Sequence, residues 1–142
     1  MALRRVDVEF PVGSCTLVMG GNGSGKSTLM SILSGRLAPS RGTVVYGDVD
    51  WQDLDEDLRG RIGLVTHGAM LYRDLTGREN LTFHGRLHGV AELGRRIEEV
   101  LEEVGMAELA DRPIGRCSQG MVRRITLARA LLHRPDLLLL DE

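Results

Sequence analysis

The sequence of 142 residues has 42% apolar side chains, which is enough for one domain with a sizeable core. Its 18 basic and 20 acidic residues are scattered, and this argues against a nucleic-acid partner that binds through a dominant basic face. No stretch approaches the roughly 18 apolar residues of a membrane span, and the N-terminus lacks the pattern of a secretory signal. We expect one domain in the cytoplasm.

The first half of the chain predicts strands around a glycine-rich loop. Apolar residues alternate or run together over 6–10 and 16–19, as in two strands. Helix-forming residues follow over 26–34, with a glycine where the helix would stop. Shorter apolar runs over 42–47 and 62–65 predict two more strands. The order of strand, loop and helix places the glycine loop at the start of a helix.

The second half predicts two amphipathic helices and a final strand. Apolar residues at helical spacing over 95–104 share one face of the first helix. The second helix, over 118–133, is capped by Ser118 and stops before Pro135. Residues 137–140 are all leucine and predict a buried strand.

These elements indicate an α/β fold with a small helical lobe. We expect one domain over residues 1–142, with a parallel sheet in an α/β core of about residues 1–66 and 134–142. The loop and helical lobe then cover about residues 67–133.

The strongest motif is the glycine loop, which fits G-x-x-x-x-G-K-[S/T] between a predicted strand and a predicted helix. Glycines let the backbone fold tightly enough for its N–H groups and the helix N-terminus to point at phosphate oxygens. Lys26 would neutralise the β- and γ-phosphates of ATP, and the Ser27 hydroxyl would bind Mg²⁺. The predicted phosphate-binding residues are Gly20, Gly21, Asn22, Gly23, Ser24, Gly25, Lys26, Ser27 and Thr28.

Lys26 is the single lysine among the 18 basic residues, and the others are arginine. Our hypothesis is that arginine serves wherever only charge matters, whereas a compact ammonium is kept where a phosphate is met as a point charge. On this hypothesis, the substitution Lys26→Arg weakens ATP binding.

Two carboxylates directly follow the leucine strand. Ligands of open α/β sheets bind at the carboxyl ends of the strands. Asp141 is therefore predicted to hold Mg²⁺, directly or through water, and Glu142 to act as the general base that polarises the attacking water. The pattern taken alone also fits a surface pair of acids, and the glycine loop favours the catalytic interpretation.

A third motif, Cys-Ser-Gln-Gly-Met at 117–121, precedes the second amphipathic helix. It resembles the signature motif of ABC ATPases, in an S-x-G-M variant of the usual S-G-G-Q. The resemblance implies that the Ser118 hydroxyl, the Gly120 N–H and the helix N-terminus bind the γ-phosphate of ATP held by a second subunit. A plain N-cap at Ser118 has the same geometry, because a capped helix N-terminus is already an anion site. The predicted signature residues are Ser118, Gln119, Gly120 and Met121.

Residues 62–81 resemble the Q-loop region of ABC ATPases, with His67 in place of the usual glutamine. In that family the glutamine reaches Mg²⁺ and the attacking water, so the resemblance implies a catalytic role for His67, which titrates near neutrality. A histidine here, together with residues 75–90, is similar to the haem-exporter ATPase of cytochrome c maturation. A loop histidine in another exporter, such as a multidrug exporter, is the alternative.

The resemblance covers the whole chain and implies the P-loop NTPase fold of ABC ATPases. It also implies the ATPase subunit of an exporter, with ATP and Mg²⁺ held between two subunits that associate head to tail. Hydrolysis would be coupled to a separate transmembrane permease at the cytoplasmic face of the membrane, without nucleic acid. Family members extend past both termini, so we expect a chain truncated at both ends, incomplete at its C-terminus and without the aromatic residue that stacks on adenine.

Two other functions stay open. An ABC-like head of a DNA-repair or ribosome-bound protein is disfavoured, because Lys26 and Ser118 are 92 residues apart and leave no room for a long coiled coil. A non-catalytic fragment would bind nucleotide, or nothing, without turnover. His84 and His88 lie four residues apart and favour a solvated helix surface over a metal site, since no third ligand is placed.

Overall fold

The computed structural model describes residues 3–66, 68 and 70–141. The chain divides into two compact units, one formed by residues 3–54 with Asp141 and the other by residues 55–140. The predicted limits of the helical lobe, at about residues 67 and 133, stay a prediction.

The first unit contains one helix and one small hairpin. Helix α1, Lys26–Leu33, begins directly after the glycine loop, as the sequence predicts. Strands β1, Val45–Tyr46, and β2, Val49–Asp50, pair in antiparallel orientation. The Tyr46 hydroxyl donates to the carbonyl of Leu33 at 2.8 Å, and this bond ties the hairpin to the C-terminal end of α1.

The two strands predicted over residues 6–10 and 16–19 are wrong. Neither segment has strand backbone, and neither pairs with another described segment. Their apolar side chains are largely exposed, with Leu17 at 79% and Met19 at 82%. The strand predicted over 42–47 is reduced to β1. A strand needs a hydrogen-bonded neighbouring strand as well as an apolar pattern. The local sequence shows the apolar pattern but does not show which segment pairs with it.

The second unit contains the other helices and a pair of parallel strands. Its helices are α2, Glu56–Arg59; α3, Gly77–Leu87; α4, Leu93–Glu103; and α5, Gln119–Leu131. Strand β3, Ile62–Val65, pairs in parallel with β4, Leu137–Leu140, residue by residue from Ile62 with Leu137 to Val65 with Leu140. Both strands and helices α4 and α5 lie where the sequence predicts. Short 3₁₀ turns occur at Trp51–Asp53 in the first unit and at Ala107–Leu109 and Ile114–Arg116 in the second.

The hydrophobic core of the second unit joins α3, α4 and α5. The apolar face of α4 buries Ile97, Val100 and Leu101. Burial of each such side chain stabilises the fold by roughly 1.5–3 kcal/mol. The buried cluster consists of Leu81, Ile97, Val100, Leu101, Met106, Ala110, Ile114, Ile125, Ala128 and Leu132. None of the helices in the described residues is long and apolar enough to span a lipid bilayer.

Strand β3 and helix α5 approach each other closely. A Cβ atom at Gly63 would lie 2.7 Å from the carbonyl oxygen of Ala130 and 2.9 Å from the ring of Pro135. Only glycine fits this contact without a shift of the backbone. The packing therefore fixes β3 against the C-terminal part of α5.

Helix α3 begins at a turn whose polar groups are well paired. Thr76 and Glu79 form a capping box: the Thr76 hydroxyl accepts from the Glu79 N–H at 3.1 Å, and the Glu79 carboxylate accepts from the Thr76 N–H at 2.8 Å. The bond from the Thr76 N–H lowers the pKa of Glu79. The buried Asn80 side chain accepts from the Tyr72 N–H at 2.7 Å and donates to the carbonyls of Tyr72 and Thr76 at 3.0 and 2.8 Å. Residues 72–76 are thereby held against the start of α3.

Candidate functional site

The glycine loop forms a tight turn before α1. Gly23 and Gly25 have φ angles of 77° and 97°, in the left-handed region that favours glycine. A Cβ atom at Gly20 would lie 2.5 Å from Ser24 Oγ, so a side chain there would displace the loop. The Ser24 N–H donates to the Gly21 carbonyl at 3.2 Å and closes the turn. The geometry therefore requires glycine at three positions of the motif.

The ammonium of Lys26 lies against the loop. Its Nζ donates to the carbonyls of Gly20 at 2.8 Å and Gly21 at 3.1 Å. The side chain stays partly exposed, so an anion can reach it from solvent. The loop thus presents a positive charge beside the residues predicted to bind phosphate.

The N-terminus of α1 has no side-chain cap. Its N-cap residue is Gly25, which makes no side-chain hydrogen bond. Helix α4 also lacks a side-chain cap, whereas α2, α3 and α5 are capped by Asp55, Thr76 and Ser118. The first N–H groups of a helix have no carbonyl acceptor within the helix. At α1 these N–H groups and the positive end of the helix dipole are left for an anion.

The two predicted magnesium ligands lie together. Ser27 Oγ donates to Asp141 Oδ1 at 3.2 Å. Mg²⁺ binds oxygen at about 2.0–2.1 Å in near-octahedral geometry, so adjacent ligand oxygens are about 3 Å apart. These two oxygens therefore fit neighbouring positions on a magnesium ion. The described residues contain no group of three His, Cys, Asp or Glu side chains that could hold a metal.

The signature residues lie on the turn that starts α5. Ser118 is the N-cap, and its Oγ accepts from the N–H of Met121 at 3.3 Å. Gln119 and Gly120 are exposed at the first positions of the helix. A hydroxyl that accepts one hydrogen bond can still donate its own hydrogen, so Ser118 keeps a donor for an anion. The predicted capped helix start is confirmed, and the phosphate-binding role of these residues stays a prediction.

Two predicted catalytic residues, His67 and Glu142, lie outside the described residues. Their catalytic roles stay predictions. Near His67, the Thr66 hydroxyl donates to the carbonyl of Gly68 at 3.2 Å.

Sequence reasoning overlooked two polar residues that organise the second unit. Asn80 is fully buried and anchors the turn before α3. The sequence feature that could have indicated Asn80 is the Thr-x-x-Glu capping-box pattern at 76–79. This pattern predicts a helix start, and Asn80 follows it directly. Arg129 on α5 donates from Nη2 to the Leu64 carbonyl at 2.9 Å. Its signal is a charged residue on the apolar side of a predicted helix, where unpaired charges are rare.

The glycine loop with its lysine, before a helix and beside a serine–aspartate pair, is typical of P-loop nucleotide-binding folds. Comparison with known proteins defines the family more closely. The model of the family described as ABC transporter matches residues 3–142, and the chain belongs to this family.

Two relatives show how much of a family member the chain represents. It is 35% identical over 144 residues to the ABC transporter ATP-binding protein NatA of Bacillus subtilis (strain 168), covering 99% of this chain and 58% of NatA. It is 39% identical over 142 residues to the linearmycin resistance ATP-binding protein LnrL of the same organism, covering 99% of this chain and 46% of LnrL. The chain thus spans about half the length of these relatives.

The fold is similar to a solved dimeric structure of the ATP-binding cassette MJ0796 in a post-hydrolysis state, bound to ADP and Pi. The TM-score is 0.88 at 29% identity, over 99% of this chain and 66% of that chain. The predicted fold class, the α/β P-loop NTPase fold of ABC ATPases, is confirmed.

Proposed function

We propose that this chain is the ATP-binding and ATP-hydrolysing part of an ABC exporter. The observation that carries the proposal is the uncapped start of α1, beside which Lys26 and the Ser27–Asp141 pair are placed. The helix N–H groups and the ammonium would bind the β- and γ-phosphates of ATP. Mg²⁺, when held by Ser27 and Asp141, would neutralise charge on the same phosphates.

Hydrolysis in this proposal uses the two predicted catalytic residues. Glu142 would accept a proton from the attacking water, whose oxygen forms a bond to the γ-phosphorus. The bond between that phosphorus and the bridging oxygen breaks, giving ADP and phosphate. Neutral His67 would accept a hydrogen bond from the water and orient it.

A second copy, or a similar ATP-binding subunit, would complete the site. The γ-phosphate held by one subunit would meet Ser118 and Gly120 of the other, in a head-to-tail dimer. The exposure of the Ser118 turn and its free hydroxyl hydrogen support this arrangement. The similar cassette MJ0796 was solved as a dimer with ADP and Pi.

The membrane partner would dock on the exposed apolar side of α3. Phe83 and Leu87 are 39% and 68% exposed, and Tyr72 packs edge-on against Phe83 with ring centroids 5.2 Å apart. Phe83 and Leu87 border a groove that is also lined by Glu79, Thr82 and Arg86. Contiguous exposed apolar surface is a common feature of protein–protein contacts. A transmembrane permease bound here would place the chain at the cytoplasmic face of the membrane.

Two candidates remain for the exported substrate. His67 and the sequence of residues 75–90, through their similarity to the haem-exporter ATPase, favour haem export in cytochrome c maturation. The relative LnrL, named for linearmycin resistance, favours a drug or other small molecule instead. Deletion of the gene would separate them: loss of c-type cytochromes supports haem export, whereas drug sensitivity with normal cytochromes supports the alternative.

Mixing two inactive variants tests the shared site. Full-length Lys26→Ala and Ser118→Ala proteins are each expected to lose most ATPase activity. A mixed dimer holds one site with an intact glycine loop from the Ser118→Ala copy and an intact signature from the Lys26→Ala copy. Mixing should therefore restore activity toward that of one site per mixed dimer. Wild-type activity of the Lys26→Ala protein alone, or no recovery in mixed dimers isolated by two affinity tags, would contradict the proposal.

A further inference from the structure

Arg129 is a half-buried cation whose partner is a backbone carbonyl. Its Nη2 donates to the carbonyl of Leu64 on β3 at 2.9 Å. Its Nε is buried without a hydrogen-bond partner in the part of the chain that the structure describes. Burial lowers the pKa of Arg129, because a poorly solvated site disfavours the cation.

Stability alone does not explain an arginine at this position. A buried charge with incomplete hydrogen bonding opposes folding, and apolar residues of similar volume often replace such groups with no loss of stability. Ile125 and Leu132, which lie four residues before and three residues after Arg129 and so on its side of α5, are buried and apolar, and an unbranched apolar side chain at 129 is therefore compatible with its neighbours. A role beyond packing is therefore indicated.

Arg129 joins the helix that begins with the predicted signature residues to the strand that precedes His67 in the sequence. Ser118 is the N-cap of helix α5. At 1.5 Å per residue, Ser118 and Arg129 are about 16 Å apart along the helix axis. The bonded Leu64 lies three residues before His67 in the sequence. Gly63 brings β3 into direct contact with α5, so the guanidinium spans a packed interface.

We propose that Arg129 is a positioning residue that fixes the C-terminal end of β3 to the signature helix. When the start of α5 binds the γ-phosphate of the partner's ATP, a shift of the helix is passed by Arg129 to the strand that leads to His67. A rigid helix and a charge-assisted hydrogen bond suit this transfer. The inference rests on the proposed function and deepens it, because it names the link between the signature and the predicted catalytic loop.

The substitution Arg129→Met separates positioning from packing. Methionine keeps the length and apolar contacts of the side chain but removes the bond to Leu64. In the full-length protein we expect an unfolding temperature equal to or above that of the wild type. The kcat of ATP hydrolysis should fall about 10- to 100-fold, the range of a hydrogen bond to a charged group, with KM changed less than about threefold. The matched control Arg123→Gln, exposed on the same helix, should keep kcat within about twofold.

A double-mutant cycle between Ser118 and Arg129 tests the link itself. Independent sites this far apart combine with a deviation of at most about twofold. If Arg129 transmits the effect of Ser118, the combined loss of kcat should be at least about fivefold smaller than the product of the single losses. A multiplicative combination overturns the inference, as does an Arg129→Met protein with wild-type kcat.

The single variants distinguish a failure of the proposed function from a failure of the role proposed for Arg129. If Ser118→Ala alone leaves kcat unchanged, the proposed function fails, whereas strong but multiplicative single effects remove only the role of Arg129. If Arg129→Met does not fold, Arg129→Lys replaces it in the cycle, since lysine keeps the charge but loses the planar fork. The same deviation of at least about fivefold then supports the inference, and its absence overturns it.

Discussion

The two units, residues 3–54 and residues 55–140, differ in how deeply the helices next to their predicted site residues are buried. In the first unit, the glycine loop leads into a helix with no buried residues, and Leu54 is its single described apolar side chain below one-tenth exposure. In the second unit, the signature turn starts a helix whose inner face belongs to the core. Phosphate-binding geometry can thus be set by backbone conformation at glycine and by a helix start, whereas the signature turn depends on tertiary packing.

The largest difference between the units should appear when leucine is truncated. Leu101 is fully buried in the second unit, and Leu17 is 79% exposed in the first. We expect Leu101→Ala to lower the free energy of unfolding by about 2–5 kcal/mol, and Leu17→Ala by less than about 0.5 kcal/mol. Denaturant titrations of the two proteins measure this difference. Equal losses would remove the contrast in packing.

Asn80 should be the most sensitive polar residue of the second unit. Replacement by alanine leaves the Tyr72 N–H without its acceptor and removes the buried amide from a partly buried hydrogen bond. We expect a loss of about 1–3 kcal/mol in unfolding free energy. The partner substitution Glu79→Ala, at the exposed side of the same turn, should cost less. A smaller loss for Asn80→Ala than for Glu79→Ala contradicts the role given to the buried amide.

The capped start of α5 gives a smaller effect. Ser118→Ala removes the acceptor of the Met121 N–H and should lower the unfolding free energy by about 0.5–2 kcal/mol. Ser118→Gly, the matched control, should cost only a few tenths of a kcal/mol, because glycine is tolerated at N-caps. If Ser118→Ala unfolds like the wild type, the hydroxyl does not cap the helix in solution.

The smallest effect concerns pH and again distinguishes the units, since all four histidines follow residue 55. Burial lowers the pKa values of His84, His88 and His133, with Arg129 adding like charge, and the rings of His88 and His133 stack with centroids 4.5 Å apart. The unfolded chain then binds more protons than the folded one below about pH 6.5. Stability should be complete above that pH and fall as the pH drops toward the lowered values.

Thermal melts at pH 7.5 and 5.5 measure this loss. The variant His133→Phe keeps an aromatic ring in the stack but does not titrate, so its melting temperature should fall less between the two pH values. An equal fall in both proteins would show that the stacked histidines do not contribute.

Local signals in the sequence were enough for several elements and for part of the site. The Gly-Lys-Ser motif fixes where α1 begins, and the leucine run fixes β4. The neighbouring positions of Ser27 and Asp141 agree with the metal pair that the motifs predict. The start of α1 and strand β4 follow from residue types at short spacing, which a single sequence displays. The Ser27–Asp141 pair joins two such local motifs across 114 positions of the sequence.

Features that depend on contacts between distant segments could not be predicted from local sequence patterns. The segments 6–10 and 16–19 have apolar patterns of strands, yet no described segment pairs with them. The bond from Arg129 to Leu64 joins residues 65 positions apart, and no local pattern reports such a contact. Pairing and packing between distant segments decide these cases, and propensity does not.

The glycine loop and Lys26 are proposed to bind the phosphates of ATP, and the other proposed roles depend on this binding. Isothermal titration of full-length Lys26→Ala with Mg²⁺–ATP tests it most directly, with Arg36→Ala, exposed beyond the end of α1, as the matched control. We expect the Kd of Lys26→Ala to rise about 10- to 100-fold, that of Arg36→Ala to stay within about twofold, and both proteins to melt like the wild type. An unchanged Kd for Lys26→Ala would contradict the account.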